Sequence, residues 1–277
     1  MRVFSNSGKN TIEDSAMKIT FLGTCSGTEP VPGFRHVSFV IEHRDKIYWF
    51  DAGDNCSYAA HTGNIDLLKT RAVFISHTHM DHIGGLPNLL WNIRKLNSKH
   101  CANPRECFSG KTIDIFMPHG KTFPAIMEML KHTEGNFEID FSINENVYDD
   151  GVIFEEDGLK VAAFHNNHLA PVDGKWVSFS FLAEADGKSL VYSGDVKSIE
   201  DIEHMIKNVD LVLMETGHHL PENICEHLAS CDSGFGKLAF VHHGRAILND
   251  FDGELSKAKK ILGDKVFIAT DGMTYEI

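Results

Sequence analysis

No run of about 18 apolar residues occurs in the chain, which excludes a membrane-spanning helix. None of the six cysteines, at positions 25, 56, 101, 107, 225 and 231, stands in a Cys-x-x-Cys pair, and the chain is too long to need disulfide stapling. The opening residues, MRVFSNSGKNTIEDSA, lack the continuous apolar segment of a secretory signal. These absences predict reduced thiols and a cytoplasmic location, with Cys101–Cys107 and Cys225–Cys231 the pairs to consider for any disulfide. Positive charge is scarce: 26 Lys and Arg stand against 39 Asp and Glu, a formal net charge of −13. Such a balance gives no general attraction to phosphate backbones or anionic membranes, although it leaves room for a local basic groove. Internal repeats, a linker and a shift in composition between the halves are missing too. A hydrophobic content of 42% argues against disorder, and 277 residues suffice for a substantial core.

Histidine is in excess, at 17 residues, and imidazole is the commonest metal ligand among side chains. Strand-like and helix-like runs alternate along the chain. Strands are expected at 17–23, 36–43, 46–53, 71–76 and 112–118, then at FEIDFSI (137–143), VIFEED (152–157), LKVAAF (159–164), SFSFLAE (178–184), KSLVYSG (188–194), DLVLME (210–215), KLAFVH (237–242) and KVFIA (265–269). Helices are expected at 85–96, with Pro87 in the first turn, and near 122–133, 198–207, 221–230 and 252–262. Residues 1–16 read as an N-terminal extension or an extra edge strand, and 17–277 as one domain. Strand clusters separated by single helices fit an α/β architecture, a four-layer α/β/β/α sandwich of two mixed β-sheets flanked by helices. The hydrophilic stretch 97–111 reads as a lid, a dimer contact or a plain surface loop.

The segment RAVFISHTHMDHIGG (71–85) leads from a buried strand into a helix through His77, His79, Asp81 and His82. Imidazole nitrogens and carboxylate oxygens suit a borderline divalent ion such as Zn²⁺. In an extended stretch His77 and His79 project to the same side. Asp81 and His82 fall where the chain curls into the helix, placed to face a second ion. Other apolar strands end in the same way: LKVAAFHNNH in His168, SLVYSGD in Asp195, DLVLME in Glu215, and KLAFVHH in His242 and His243. Rigid strand ends are where layered α/β folds gather groups from distant sequence. A dinuclear site also needs a carboxylate that spans both ions, a part that suits Asp195. The choices between His165 and His168, and between His242 and His243, stay open on the residues alone.

The H-x-H-x-D-H loop at 77–82 resembles the hallmark of the metallo-β-lactamase superfamily, and the resemblance runs over about residues 17–270. GTCSGTEPVPGFRHVSFVIEH (23–43) and WFDAGD (49–54) resemble the opening hairpins of its ribonuclease Z and phosphodiesterase branch. The resemblance implies the metallo-β-lactamase fold and two divalent metal ions, zinc first, with manganese and iron as alternatives. His77, His79 and His168 would hold one ion, Asp81, His82 and His242 the other, and Asp195 would bridge them. The ligand of the branch comes four residues after the Phe of VAAF, which favours His168 and leaves His165 as a neighbour or substrate contact. LAFVHH resembles L-x-L-x-H, which selects His242 and leaves His243 to line the pocket. Asp51 resembles the aspartate that orients metal-binding histidines. Glu215 lies in a segment like the branch's Glu-containing loop, where His218 is a candidate auxiliary proton donor. Arg245 is a candidate contact for a substrate phosphate or carboxylate, against the plainer reading of a surface salt bridge.

The reaction implied is hydrolysis by a metal-bridging hydroxide, with Asp81 and His218 as the catalytic candidates. AFHNNHLAP does not resemble the T-P-G-H-T-x-G motif of glyoxalase II-type thioester hydrolases, and His79 stands where diiron members carry Glu. Both differences point to a phosphodiesterase acting on a small phosphoester or ester substrate. The alternatives are a ribonuclease Z-like RNA 3′-end endonuclease, a lactonase or other carboxyl-ester hydrolase, and a noncatalytic metal-binding sensor module. Nucleic acid is disfavoured, because only residues 169–194 occupy the place where a tRNA-clamping arm usually lies. A membrane partner is not expected, and a homodimer is compatible with the sequence. The remaining histidines, His43, His119 and His227 among them, read as surface residues, and Cys25 and Cys56 as buried inert thiols.

Overall fold

A computed structural model describes residues 17–100, 108, 110–231 and 233–277, excluding the side chains at 99 and 100. The expected extension 1–16 and most of 101–109 lie outside the described residues. Six strands follow one another across the first sheet: β1 (Lys18–Gly23), β2 (Ser38–His43), β3 (Lys46–Phe50), β4 (Thr70–Phe74), β5 (Thr112–Met117) and β6 (Ser142–Val147). The second sheet is as sequential: β7 (Gly151–Glu156), β8 (Leu159–His165), β9 (Phe179–Ala185), β10 (Lys188–Tyr192), β11 (Leu211–Thr216), β12 (Lys237–His243) and β13 (Val266–Ile268). β14 (Thr274–Glu276) then returns to the first sheet, antiparallel outside β1. Each sheet is antiparallel in its first part, through β3 and β10 respectively, and parallel beyond.

Period-two alternation decides the layers. Tyr48 and Phe50 share a core with Phe179 and Phe181 of the opposite sheet, and Phe50 meets Phe181 edge-on with centroids 5.8 Å apart. Ile47 and Trp49, the intervening residues, face a second core formed with α1 (Cys56–Thr62), α3 (Leu86–His100) and α4 (Thr122–Lys131), where α3 contributes Leu86, Leu89, Leu90 and Ile93. The single turn α2 (Met80–Ile83) precedes α3. On the second sheet Leu211 and Leu213 point between the sheets. Val212 and Met214 point outward to α5 (Pro221–Ser230), α6 (Arg245–Asn249) and α7 (Phe251–Leu262). Strands buried on both faces read as unbroken apolar runs, which is how DLVLME stands out in the sequence. The architecture is the expected α/β/β/α sandwich.

Three expectations need correction. FEIDFSI is not a strand: Phe137 ends a 3₁₀ turn (Glu134–Phe137), and Phe137 and Phe141 plug the core beside α4 from a loop. The strand starts at Ser142 and is largely exposed, an edge strand too polar to stand out by its pattern. Residues 198–207 form only a 3₁₀ turn (Ile199–Ile202), locked by a capping box between Ser198 and Asp201. Its buried Ile199, Ile202, Met205 and Ile206 mimic helical spacing within an irregular segment. His43 is buried, with its Nε2 3.1 Å from the Asp157 carbonyl, and is no surface residue. Cys225 and Cys231 are free thiols.

Candidate metal centre

β4 carries the motif to the end of the first sheet. Ile75 N still reaches the carbonyl of Phe116 on β5 (3.1 Å), and Ser76 O receives Phe179 N of the second sheet (3.1 Å), so the loop is tied to both sheets. His77 and His79 then lie in extended chain, and α2 lifts Asp81 and His82 by one helical turn, with His82 N and Ile83 N donating to His79 O (3.0 and 3.1 Å). The motif thereby divides into two pairs.

Each pair meets a histidine from the second sheet. His77 Nε2 lies 3.0 Å from His79 Nδ1, which lies 3.5 Å from His168 Nε2. With Asp195, these form one group of ligand atoms that could hold a cation. Asp81 Oδ2 lies 3.0 Å from His242 Nε2 and 3.5 Å from His82 Nε2, a second such group. Asp195 stands between them. Its Oδ2 faces His168 (3.7 Å) and His77 (3.8 Å), and its Oδ1 faces His82 (3.2 Å) and His242 (3.4 Å).

Two buried atoms at this junction, Asp195 Oδ1 and His242 Nδ1, have no hydrogen-bond partner among the described residues. Buried polar atoms are nearly always satisfied. Two orphans facing each other, ringed by imidazoles and carboxylates, fit a pair of divalent cations. Protonation agrees with this. Burial, then repulsion from His82, His79, His168 and His242, drives His77 well below the ordinary histidine range. Burial also lowers His168, against the pull of Asp195. Burial opposes ionisation of Asp195 and Asp81, yet His242 and His82 hold both carboxyls below their usual values. His242 runs the other way: burial is outweighed by Asp195, Asp81 and Glu215, which push it up to about 9, so a cation must displace its proton to be ligated there.

Asp51 braces the centre from beneath. It follows β3 in left-handed backbone (φ 55°) and is fully buried. Its carboxylate accepts from Ser76 N (2.7 Å), Ser76 Oγ (2.8 Å), His82 Nδ1 (2.7 Å) and Tyr192 OH (2.7 Å). With Nδ1–H donated there, the other nitrogen of His82 is turned toward Asp195. His242 is delivered by a β-bulge: Glu215 pairs with Val241 and Thr216 with His243, so His242 is left out of register at φ 49°. Left-handed backbone at a non-glycine residue costs on the order of 1–3 kcal/mol and persists only where its surroundings enforce it.

The other candidates are placed differently. His243 continues the ladder, is buried, and has its Nε2 2.7 Å from the Ala269 carbonyl, away from both ligand groups. Burial pushes it down to about 4. His165 stacks on Trp176 (4.3 Å, 13°), with its Nδ1 2.6 Å from Asp150, and belongs to neither ligand group. His218 donates its backbone N–H to Glu215 Oε2 (2.9 Å) and places Nδ1 3.0 Å from Glu215 Oε1. Its half-exposed ring lies beside those of His168 (5.0 Å) and His242 (5.9 Å), and its Nδ1, 3.8 Å from Asp195 Oδ2, puts it in a third ligand group with Asp195 and His242. Arg245 is paired with Glu29 at 2.6 Å on the exposed surface. Cys25 and Cys56 are buried thiols, and burial pushes Cys56 up to about 12.

Four contributors escape sequence reasoning: Ser76, Tyr192, Gly27 and Gly217. A Cβ on Gly27 would lie 2.8 Å from Asp81 Oδ2, and one on Gly217 2.6 Å from His242 Nδ1. Both glycines let backbone close over the centre. Their only sequence signal is adjacency to site loops, in TCSGT and ETGHH. His119, read as a surface residue, has its Nε2 3.4 Å from the hydroxyl of Thr78, inside the motif.

The fold and its strand-end cluster define a protein of the metallo-β-lactamase fold. Among solved structures it is similar to YhfI from Bacillus subtilis (18% identity, TM-score 0.73, covering 94% of this chain and 99% of that one). It is likewise similar to the short form of human tRNase Z (20% identity, TM-score 0.69, covering 94% and 99%). Residues 17–230 match the family described as Anti-Pycsar protein Apyc1, and the chain belongs to that family. Relatives by sequence include ribonuclease Z of Picrophilus torridus, 24% identical over 306 residues, 90% of this chain and 93% of that protein. Ribonuclease Z of Methanothermobacter thermautotrophicus is 30% identical over 154 residues, 55% of this chain, a match spanning only 45% of that protein.

Proposed function

We propose that the protein is a dinuclear metal-dependent hydrolase of the phosphodiesterase class, acting on small phosphodiesters. One observation carries the reading: the two oxygens of Asp195 each face a separate ligand group, and one of them is buried without a partner. A pair of divalent cations held there, zinc by the preference of an imidazole-rich donor set, would lower the pKa of water toward neutrality and offset charge on phosphoryl oxygens. Asp81, its carboxyl held below its usual value and placed in the second ligand group, is suited to hold the attacking water and take its proton. The hydrogen bond from Nδ1 to Glu215 raises the pKa of His218, which leaves Nε2 to give a proton to the departing oxygen.

The chain around the centre bears on the size of the substrate. Between His168 and β9, residues 169–178 make a tight turn closed by paired hydrogen bonds between Val172 and Lys175 (2.9 and 3.0 Å). Arg245 is engaged with Glu29, and the formal charge is −13. These features favour a small ester over a long RNA. RNA processing is the second reading, favoured by the ribonuclease Z relatives. The test is turnover of bis-p-nitrophenyl phosphate, a lactone, a thioester and a precursor tRNA by zinc-loaded protein. Phosphodiester hydrolysis that disappears in Asp81→Ala supports the proposal. Turnover of only the lactone or thioester, or preferred cleavage of the tRNA, overturns it.

A further inference from the structure

A second group of unlike donors sits in the outer layer of the second sheet and shares no residue with the strand-end centre. Glu203 follows the 3₁₀ turn, and His227 and Cys231 lie at the end of α5. Glu203 Oε1 is 2.5 Å from His227 Nε2 and accepts from Cys231 Sγ at 3.5 Å, while Glu200 Oε1 is 3.9 Å from His227 Nδ1. The spacing explains the convergence. His227 and Cys231 are four residues apart, so the last turn of the helix brings both to one face. The capping box of Ser198 and Asp201 fixes the turn that delivers Glu203 opposite them.

An ordinary ion pair needs only His227 and Glu203. The thiol on the same carboxylate oxygen makes a third donor, and the three form a group whose ligand atoms could surround a cation. Thiolate, imidazole and carboxylate together are the ligand types of zinc, with a fourth position open to water. We infer that Glu203, His227 and Cys231 form a separate binding site for a zinc-like divalent cation. On binding, the Cys231 thiol releases its proton to solvent and the thiolate becomes the ligand, with no change of oxidation state. The site fastens a turn that matters elsewhere. Asp201, two residues before Glu203, accepts from Asn167 N (3.3 Å) and Nδ2 (2.5 Å), the residue preceding His168.

Cobalt substitution tests this without reference to turnover, because the strand-end groups include no sulfur. The wild-type chain is expected to bind one cobalt ion more than Cys231→Ser or His227→Ala. It should also show a near-ultraviolet thiolate-to-cobalt absorption that both variants lose. In the unaltered protein, zinc should slow alkylation of Cys231, located by peptide mapping, by about tenfold or more. Equal stoichiometry in wild type and variants, an absorption that survives Cys231→Ser, or alkylation of Cys231 unaffected by zinc would each overturn the inference.

Discussion

Asp51 shows how much of the centre depends on a residue that need not touch a metal. Two carboxylate oxygens satisfy four donors from three segments, and all of them are buried. Asp51→Ala strands those donors and frees the His82 ring, so metal affinity is expected to fall roughly 10–100-fold, measured by chelator competition. Tyr192→Phe removes one donor and leaves His82 held. It should cost about 1 kcal/mol in urea unfolding with little change in metal affinity. Asp81→Ala should lower kcat by about 10²–10⁴-fold if Asp81 handles the proton. Gly27→Ala offers a check on placement, since its methyl must displace the Asp81 carboxylate. A lowered kcat with unchanged circular dichroism is expected, and wild-type turnover would contradict the assigned position. His77 to His82 were legible because four ligand side chains, three imidazoles and a carboxylate, crowd into six residues. Ser76 and Tyr192 were not, because a hydroxyl carries no mark of what it will meet across the fold.

Between elements, legibility followed burial. Strands sealed on both faces, such as β4 and β11, announced themselves as apolar runs, and the polar residue closing each run marked the site. The competition between His242 and His243 needed the bulge, a backbone event that the adjacent identical residues hide. β14 is three residues long and half polar, too short to show a period. Packing of one sheet on the other is also secured at its rim. Arg71 of β4 binds Asp114 of β5 through Nη1 (2.6 Å) and Glu156 of β7 through Nε (2.9 and 3.0 Å) and Nη2 (2.5 Å). The Arg71 hydrogen bonds hold the Glu156 carboxyl below its ordinary value, with Lys46 assisting. A depressed carboxylate stabilises the fold above its unfolded pKa, and the contribution fades as pH drops through the lower folded value. Arg71→Met is therefore expected to cost about 1–2 kcal/mol near neutrality, the partial exposure of the pair keeping the figure modest. The gap between wild type and variant in urea midpoint should begin to narrow below about pH 4 and close as pH falls through the lowered value of Glu156. A gap that widens in acid would assign the stabilisation elsewhere.

For the molecule as a whole, charge and substrate class are bound together. The formal charge is −13, and two divalent cations would leave it negative. A small anionic phosphodiester therefore meets repulsion from the bulk of the surface and attraction only near the strand ends. Salt separates the two ranges, because screening acts over about 10 Å at 0.1 M and weakens the far field more than contacts inside a partly buried site. For an anionic substrate kcat/KM should rise about two- to threefold between roughly 20 and 200 mM salt, with kcat nearly constant. A neutral ester of similar size should show no such rise, which isolates charge from any effect of salt on the fold. An RNA clamp behaves in the opposite sense, since every phosphate neutralised by a basic side chain releases counterions and binding weakens steeply as salt increases. The sign of the salt dependence thus divides a small-ester hydrolase from an RNA-processing one whatever the natural substrate, and a steep fall with salt would turn the reading toward RNA.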